Sequence, residues 1–370
     1  TPVGSPISLC TFYKRKELDK TLLTLSYKPD KMKTGFDESL RPKEGGGRKE
    51  DLLMLPFLLN PAYKDYIWGG VKLRDQFGKD GPTPLAESWE LSAHPDGDAV
   101  IASGPLAGTR FSAFIKDNPA ALGSRCPAGD FPVMVKLIDA AQNLSVQVHP
   151  DDAYGMRVEG ERGKTEMWYI LDCEPGAFLY FGFEREISAD EARRRIADNT
   201  ITEVLHKAPV HPGDVFFIAA GTVHAIGAGI LLAEIQENSN TTYRVYDFGR
   251  VGADGKPRPL HIDKAMQVAR LAPARPDAPG AAPPRPVAGG TLRRLAGCAY
   301  FTADTLKLAG RYLHAPGNAS FVSVLCLDGQ ASLCCGDKTL TLNKGGSAFV
   351  PANAPEFTLE GAGTLLLTTI

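Results

Sequence analysis

The chain reads as a mostly β protein in two β domains with a small helical insertion. Three observations predict this. Short apolar runs bounded by Gly, Pro and Asp recur along the sequence, the pattern of strands and turns. One proline-rich stretch divides the runs into two groups. At 370 residues and 43% hydrophobic composition, the chain can bury more than one core.

Residues 1–53 are charged, broken by Pro and Gly, and run into Gly45-Gly46-Gly47. They are read as a poorly ordered extension foreign to the rest of the chain: their acidic residues argue against a transit peptide, and the lack of an apolar run argues against a signal. The first domain spans 54–271. Its strands are expected at Phe131 to Ile138, Leu144 to His149, Trp168 to Leu171, Phe178 to Phe183 and Val215 to Ala219. Arg110 to Ala121 has helical periodicity. An insertion near 188–206 starts a helix at Ser188-Ala189-Asp190-Glu191, where Ser and Glu form a capping box, and runs through Ile196, with Ile201 to His206 a second short helix. Pro273, Pro276, Pro279, Pro283, Pro284 and Pro286 make 272–289 an extended linker, since so much proline suits neither a helix nor a central strand. The second domain, 290–370, returns to short strands and turns and ends on a strand from Thr364 to Ile370.

A net charge of -2 gives no global electrostatic case for nucleic acid, although a local basic pocket for one phosphate is compatible with it. No apolar run is long enough to cross a bilayer. The seven cysteines are odd in number and contain no Cys-x-x-Cys pair. With no secretory h-region, they read as reduced thiols of a cytoplasmic protein.

The alternation Leu144, Val146, Val148 against Ser145, Gln147, His149 puts Gln147 and His149 on one face of a strand. Glu166 and His224 are expected from neighbouring strands. Two imidazoles and one carboxylate suit Zn²⁺ with an open position, with Gln147 as a weaker fourth ligand; Mn²⁺, Fe²⁺ or Co²⁺ would fit almost as well. Singly, each residue is more often a satisfied core or surface group. His206 and His211 have no such spacing and read as surface residues.

Gly213-Asp214-Val215-Phe216-Phe217-Ile218-Ala219-Ala220-Gly221-Thr222-Val223-His224 resembles the second motif of the cupin superfamily, with Ala219 where proline is usual. Glu166-Met167-Trp168-Tyr169-Ile170-Leu171 resembles the strand carrying the cupin's acidic ligand. From 54 to about 270 the resemblance narrows to the type I mannose-6-phosphate isomerases (phosphomannose isomerases), starting at Met54-Leu55-Pro56-Phe57-Leu58-Leu59. The blocks that carry it, in order, are Tyr66-Ile67-Trp68-Gly69-Gly70, Glu87-Ser88-Trp89-Glu90-Leu91-Ser92, Lys136-Leu137-Ile138-Asp139, Ser145-Val146-Gln147-Val148-His149-Pro150, Lys164-Thr165-Glu166, Gly221-Thr222-Val223-His224-Ala225 and Asn240-Thr241-Thr242-Tyr243-Arg244-Val245-Tyr246-Asp247. The resemblance implies cupin-like (jelly-roll) β-barrels, one zinc ion on Gln147, His149, Glu166 and His224, an active-site Arg244, and exchange of mannose 6-phosphate with fructose 6-phosphate. Gly345 to Glu356 can be laid on the same cupin pattern, but the ligand position is Glu356 and the domain's single imidazole is His314. The second barrel is therefore expected to hold no metal.

Moving a carbonyl between C1 and C2 requires an enediolate, too high in energy to form unaided. A divalent ion acting as Lewis acid and a fixed guanidinium answer that need. A base must also move the proton; Glu234, Lys136, a metal-bound water or one of the ligands would serve, since geometry decides. For phosphate recognition the candidates are Lys136, Ser145 and Lys164. The alternatives are another metal-dependent cupin enzyme (epimerase or oxygenase) and a non-catalytic sugar-phosphate-binding cupin, against which Arg244 is the discriminator.

Overall fold

The structure, a computed structural model, describes residues 54–126, 131–251, 255–275 and 277–370. The extension 1–53 lies outside the described residues.

Two sheets form the body of the N-terminal part. One is six-stranded, in the order Val215–Ile218, Glu166–Cys173, Ile230–Glu237, Val133–Ala140, Glu87–Leu91, Ala62–Lys64. The other is five-stranded: Leu205–Pro209, Phe178–Phe183, His224–Ile226, Val146–Val148, Tyr243–Tyr246. Both central strands of the larger sheet are buried along their whole length, because the sheet has a core on each face. Val135, Leu137, Leu231, Ala233 and Ile235 pack with Phe301, Phe321 and Phe349 from the C-terminal part. Ile138, Trp168, Ile170 and Leu232, on the other face, meet Leu179, Phe181 and Ile226 of the five-stranded sheet. Strands buried on both faces read as continuous apolar runs rather than a clean alternation.

The C-terminal part, from Arg285 to Thr369, forms most of a nine-stranded sheet. Its core includes Leu306, Val324, Leu333, Leu342, Phe357, Leu365 and Leu367. Two strands come from far upstream: Phe57–Asn60 pairs with Ser347–Val350, setting Phe57 opposite Phe349, and Val100–Ile101 pairs with Phe57–Asn60 in turn. The jelly-roll expectation is met by open sheets, with no closed barrel among the described residues.

The expected strands are present at Val133–Ala140, Val146–Val148, Glu166–Cys173, Phe178–Phe183 and Val215–Ile218. The last strand is Phe357–Thr369, longer than its apolar end suggested: Gly361 and Gly363, both at positive φ, interrupt the hydrophobic pattern. Ala189–Ala197 is a helix, and Ser188 Oγ accepts the Glu191 N–H, half of the expected capping box, while the Glu191 carboxylate turns to Arg185 and Arg195. The helix expected over 110–121 is divided into Phe111–Asp117 and a 3₁₀ turn Pro119–Leu122; Asn118, at φ -133° and ψ 58°, is held out of the α region by the following proline. Ile201 to His206 is not a second helix. Only Ile201–Glu203 makes a 3₁₀ turn, and Leu205–Pro209 is a strand paired with Phe178–Phe183, because burying Leu205 and Ala208 outweighs helical propensity. Helices at Lys72–Phe77, Asp152–Val158 and Ile262–Val268 carried no strong sequence signal. Within the proline-rich stretch, Arg285–Val287 pairs only with Gly290–Gly297, at the sheet edge, where the N–H missing from Pro286 is tolerated.

Candidate active site

Gln147, the middle residue of Val146–Val148, pairs with His224 on one side and Arg244 on the other. Directly paired residues project to the same face, so one short strand gathers a glutamine, an imidazole and a guanidinium. The six-stranded sheet supplies the rest: Glu166 is paired with Gln236, and Glu234 with both Trp168 and Lys136.

His149 Nε2 lies 3.6 Å and His224 Nε2 3.2 Å from Glu166 Oε1, and one ligand atom from each of the three residues falls within 4.8 Å of the others. All three residues are at most 1% exposed. Each imidazole donates through Nδ1 to a backbone carbonyl, His149 to Thr241 at 2.9 Å and His224 to Thr222 at 2.8 Å. Nδ1 therefore carries the proton, and the Nε2 lone pairs converge on Glu166. The Gln147 amide nitrogen lies 3.4 Å from His224 Nε2, so the amide borders the cluster and, turned over, would offer its oxygen as a fourth donor.

His149 Nε2 and both Glu166 oxygens are buried without a hydrogen-bond partner among the described residues. Such atoms are costly unless something compensates them. The Lys164 ammonium, 3.1 Å from Glu166 Oε2, supplies charge from one side only. Burial pushes the His149 imidazole down to about 3, helped by Lys164, which keeps it in the neutral, ligating form. Burial alone would push the Glu166 carboxyl up; the adjoining Lys164 ammonium outweighs it and holds it well below the usual carboxylate range. Two imidazoles, an ionised carboxylate and an amide fit a divalent cation. Among the described residues, this is the one His/Cys/Asp/Glu group with that geometry, and Glu356 takes no part in it.

The cluster adjoins a cavity of roughly 280 Å³, at the small end of ligand sites. Lys136, Ser145, Gln147, Lys164, Glu234 and Arg244 all line it. Lys136, 3% exposed, stands 3.1 Å from Glu234 Oε1 and 3.7 Å from Glu87 Oε2. Burial pushes its ammonium down, but the two carboxylates outweigh that and raise it. Two indoles fix these carboxylates: Trp168 Nε1 donates to Glu234 Oε2 at 2.8 Å and Trp89 Nε1 to Glu87 Oε2 at 2.6 Å. Burial pushes the Glu234 carboxyl up, against the pull of Lys136.

Arg244 donates through Nη1 to the Pro259 carbonyl at 3.0 Å, while its buried Nε has no partner among the described residues. Burial and the neighbouring Arg258 both push its guanidinium down, as expected where like charges wait for an anion. Arg258 also lines the cavity. Its Nε and Nη2 donate to Asp247 at 2.8 and 2.5 Å, and Arg250 donates to the same carboxylate at 2.5 Å. Arg258 had no signal in the sequence. Glu87, Asn240 and Thr242, which also border the cavity, lie inside the blocks that carry the family resemblance, where no role was assigned to them. His206 faces Glu184 at 3.0 Å and His211 faces Asp214 at 3.4 Å, both away from the site.

Known proteins share both sequence and fold with this chain. The phosphomannose isomerase type I catalytic domain family matches residues 56–170, and the mannose-6-phosphate isomerase cupin domain family matches 292–370. The chain is 37% identical over 316 residues to a probable mannose-6-phosphate isomerase, GmuF, of Bacillus subtilis, covering 85% of this chain and 98% of the relative. It is 35% identical to a mannose-6-phosphate isomerase of Streptococcus mutans, over 83% and 95% of the two chains. A crystal structure of the mannose 6-phosphate isomerase from Bacillus subtilis superposes with a TM-score of 0.81 at 34% identity, covering 85% of this chain and all of that one.

Proposed function

This chain belongs to the type I mannose-6-phosphate isomerase family, and from that premise we propose that it interconverts mannose 6-phosphate and fructose 6-phosphate through an enediol, with one Zn²⁺ per chain on Gln147, His149, Glu166 and His224. The observation that carries this reading is the buried His149–Glu166–His224 cluster beside a cavity bearing Arg244. Bound there, the ion supplies Lewis-acid polarisation of the sugar's carbonyl and hydroxyl oxygens.

The chain's own groups account for the remaining needs. Arg244 holds permanent positive charge where oxyanion character develops, in a site where its Nε has no acceptor among the described residues. Glu234 is the proposed base. Trp168 fixes its Oε2 and Lys136 faces its Oε1, and burial pushes the carboxyl up, toward the range in which general bases work best. Lys136, at 3.1 Å, orients that carboxylate and stands ready to balance its charge. Ser145 and Lys164, with Lys136, are the proposed contacts to substrate oxygens and phosphate; Arg258, pre-set by Asp247, adds a guanidinium suited to a phosphate.

A cytoplasmic setting belongs to the same reading. Cys173, Cys298, Cys326, Cys334 and Cys335 are free thiols, and no helix among the described residues is long and apolar enough to cross a membrane.

Purified zinc-loaded protein given mannose 6-phosphate should form fructose 6-phosphate in a coupled assay, and substrate deuterated at C2 should lose label to water. Saturable binding with no turnover would favour the non-catalytic sugar-phosphate cupin.

A further inference from the structure

We infer that Glu161, held by His94, is a positioning residue that locks the metal-facing imidazole of His149 and the substrate-facing residues Asn240 and Thr242 into one rigid unit. The inference rests on the metal and substrate site proposed for this chain and extends it to residues outside the cavity.

The loop 238–242 joins the strand Ile230–Glu237 of one sheet to Tyr243–Tyr246 of the other. It does two jobs at once. The Thr241 carbonyl accepts the Nδ1–H of His149 at 2.9 Å, while Asn240 and Thr242 line the cavity. A loop with both duties has to be held still, since ligand orientation and cavity shape would otherwise drift together.

Glu161 holds it at two adjacent residues. Its Oε2 accepts the Thr241 hydroxyl and its Oε1 accepts the Asn240 N–H at 3.2 Å. His94 Nε2 lies 2.6 Å from the same Oε1. The tautomer is set by the other ring nitrogen: His94 Nδ1 accepts the Asp96 N–H at 3.1 Å, so Nε2 carries the proton given to Glu161. Asp96 returns to the loop by accepting the Asn240 side-chain amide at 2.8 Å. Burial pushes the Glu161 carboxyl up, but the Thr241, His94 and Asn240 hydrogen bonds outweigh it and keep the group ionised. Glu161 also lies on the segment leading to Lys164 and Glu166, so the clamp ties the approach to one ligand to the loop behind another.

The test uses the full chain with Glu161→Ala, Glu161→Gln and Thr241→Val, the last a near-isosteric loss of the hydroxyl alone. Zinc affinity by chelator competition, kcat and KM, and thermal stability of the metal-free protein are measured together. Glu161→Ala should weaken zinc binding by about 10- to 100-fold, the scale of a lost partner behind a ligand, and raise KM several-fold, with the metal-free melting temperature changing little. Glu161→Gln, which keeps size and one acceptor, should fall between. Should Glu161→Ala fail to fold, Thr241→Val decides alone: several-fold weaker zinc binding supports the clamp, and wild-type affinity overturns it. A lower metal-free melting temperature with wild-type zinc affinity and KM would mark Glu161 as merely structural. If the parent chain binds zinc but never isomerises mannose 6-phosphate, the functional reading fails while the affinity comparison still judges the clamp.

Discussion

Gln147 and Arg244 sit directly opposite each other on adjacent antiparallel strands. A metal-facing amide and the site's permanent cation are thus set by a single register. A slip of one residue between these strands would turn one of the two out of the cavity. His261 guards the register from the far side: its ring Nδ1 accepts the Arg244 backbone N–H at 3.1 Å and its backbone N–H donates to the Arg244 carbonyl at 2.8 Å.

Removing a metal ligand should remove the metal. His224→Ala is expected to purify with far less than one divalent ion per chain by elemental analysis and to lose nearly all activity. In the parent, zinc at a hundred times its Kd should add about 2.7 kcal/mol of stability, and this increment should vanish in the variant. Full metal occupancy in His224→Ala would refute the ligand assignment.

Arg244 should act in the chemical step. Arg244→Ala is expected to lower kcat by about 100-fold or more, the scale of one lost oxyanion-stabilising group, with metal content intact. Arg244→Lys should not restore the rate, because an ammonium lacks the planar fork. A raised KM with unchanged kcat would instead place Arg244 on the ground-state phosphate.

Arg258→Ala should mainly raise KM, with the rise shrinking as salt screens the remaining charges. Lys136→Ala should be more damaging than a surface lysine change, since it leaves Glu234 and Glu87, both beside its ammonium, without a counter-charge. Equal, small KM effects of the two substitutions would argue that neither contacts the phosphate.

The pH dependence of stability should carry the mark of Glu237. Burial, with the neighbouring Asp152 carboxylate adding to it and the Thr165 N–H opposing it, pushes this carboxyl up to about 8 from an ordinary 4.5. The folded state then keeps a proton that the unfolded chain releases, so this group's contribution is complete below pH 4.5 and is lost as pH rises toward 8. Urea midpoints measured across that window should fall less with pH in Glu237→Gln than in the parent. An identical slope in both proteins would count against the raised value.

Part of the site was legible from strand spacing and part, Arg244 above all, only from the family resemblance. The two-residue spacing of Ser145, Gln147 and His149 predicted a shared face, and Lys136, Ser145, Gln147, Lys164, Glu234 and Arg244 do border one cavity. What stayed hidden depends on long-range contact. Arg258 reaches the cavity only because Asp247, eleven residues earlier, holds it there. His94 and Glu161, 67 residues apart, meet at 2.6 Å through tertiary packing that no local period encodes. The same holds for Phe57–Asn60, whose pairing with Ser347–Val350 joins distant ends of the sequence, and for Leu205–Pro209, where cross-strand burial overrode a helical pattern.

The most direct test of the central claim is the isomerisation rate during a zinc titration of metal-free protein. The rate of fructose 6-phosphate formation from mannose 6-phosphate should rise from near zero, grow linearly, and level off at one equivalent of zinc per chain. Full activity in the thoroughly metal-stripped protein, or no activity at any zinc level, would contradict the account.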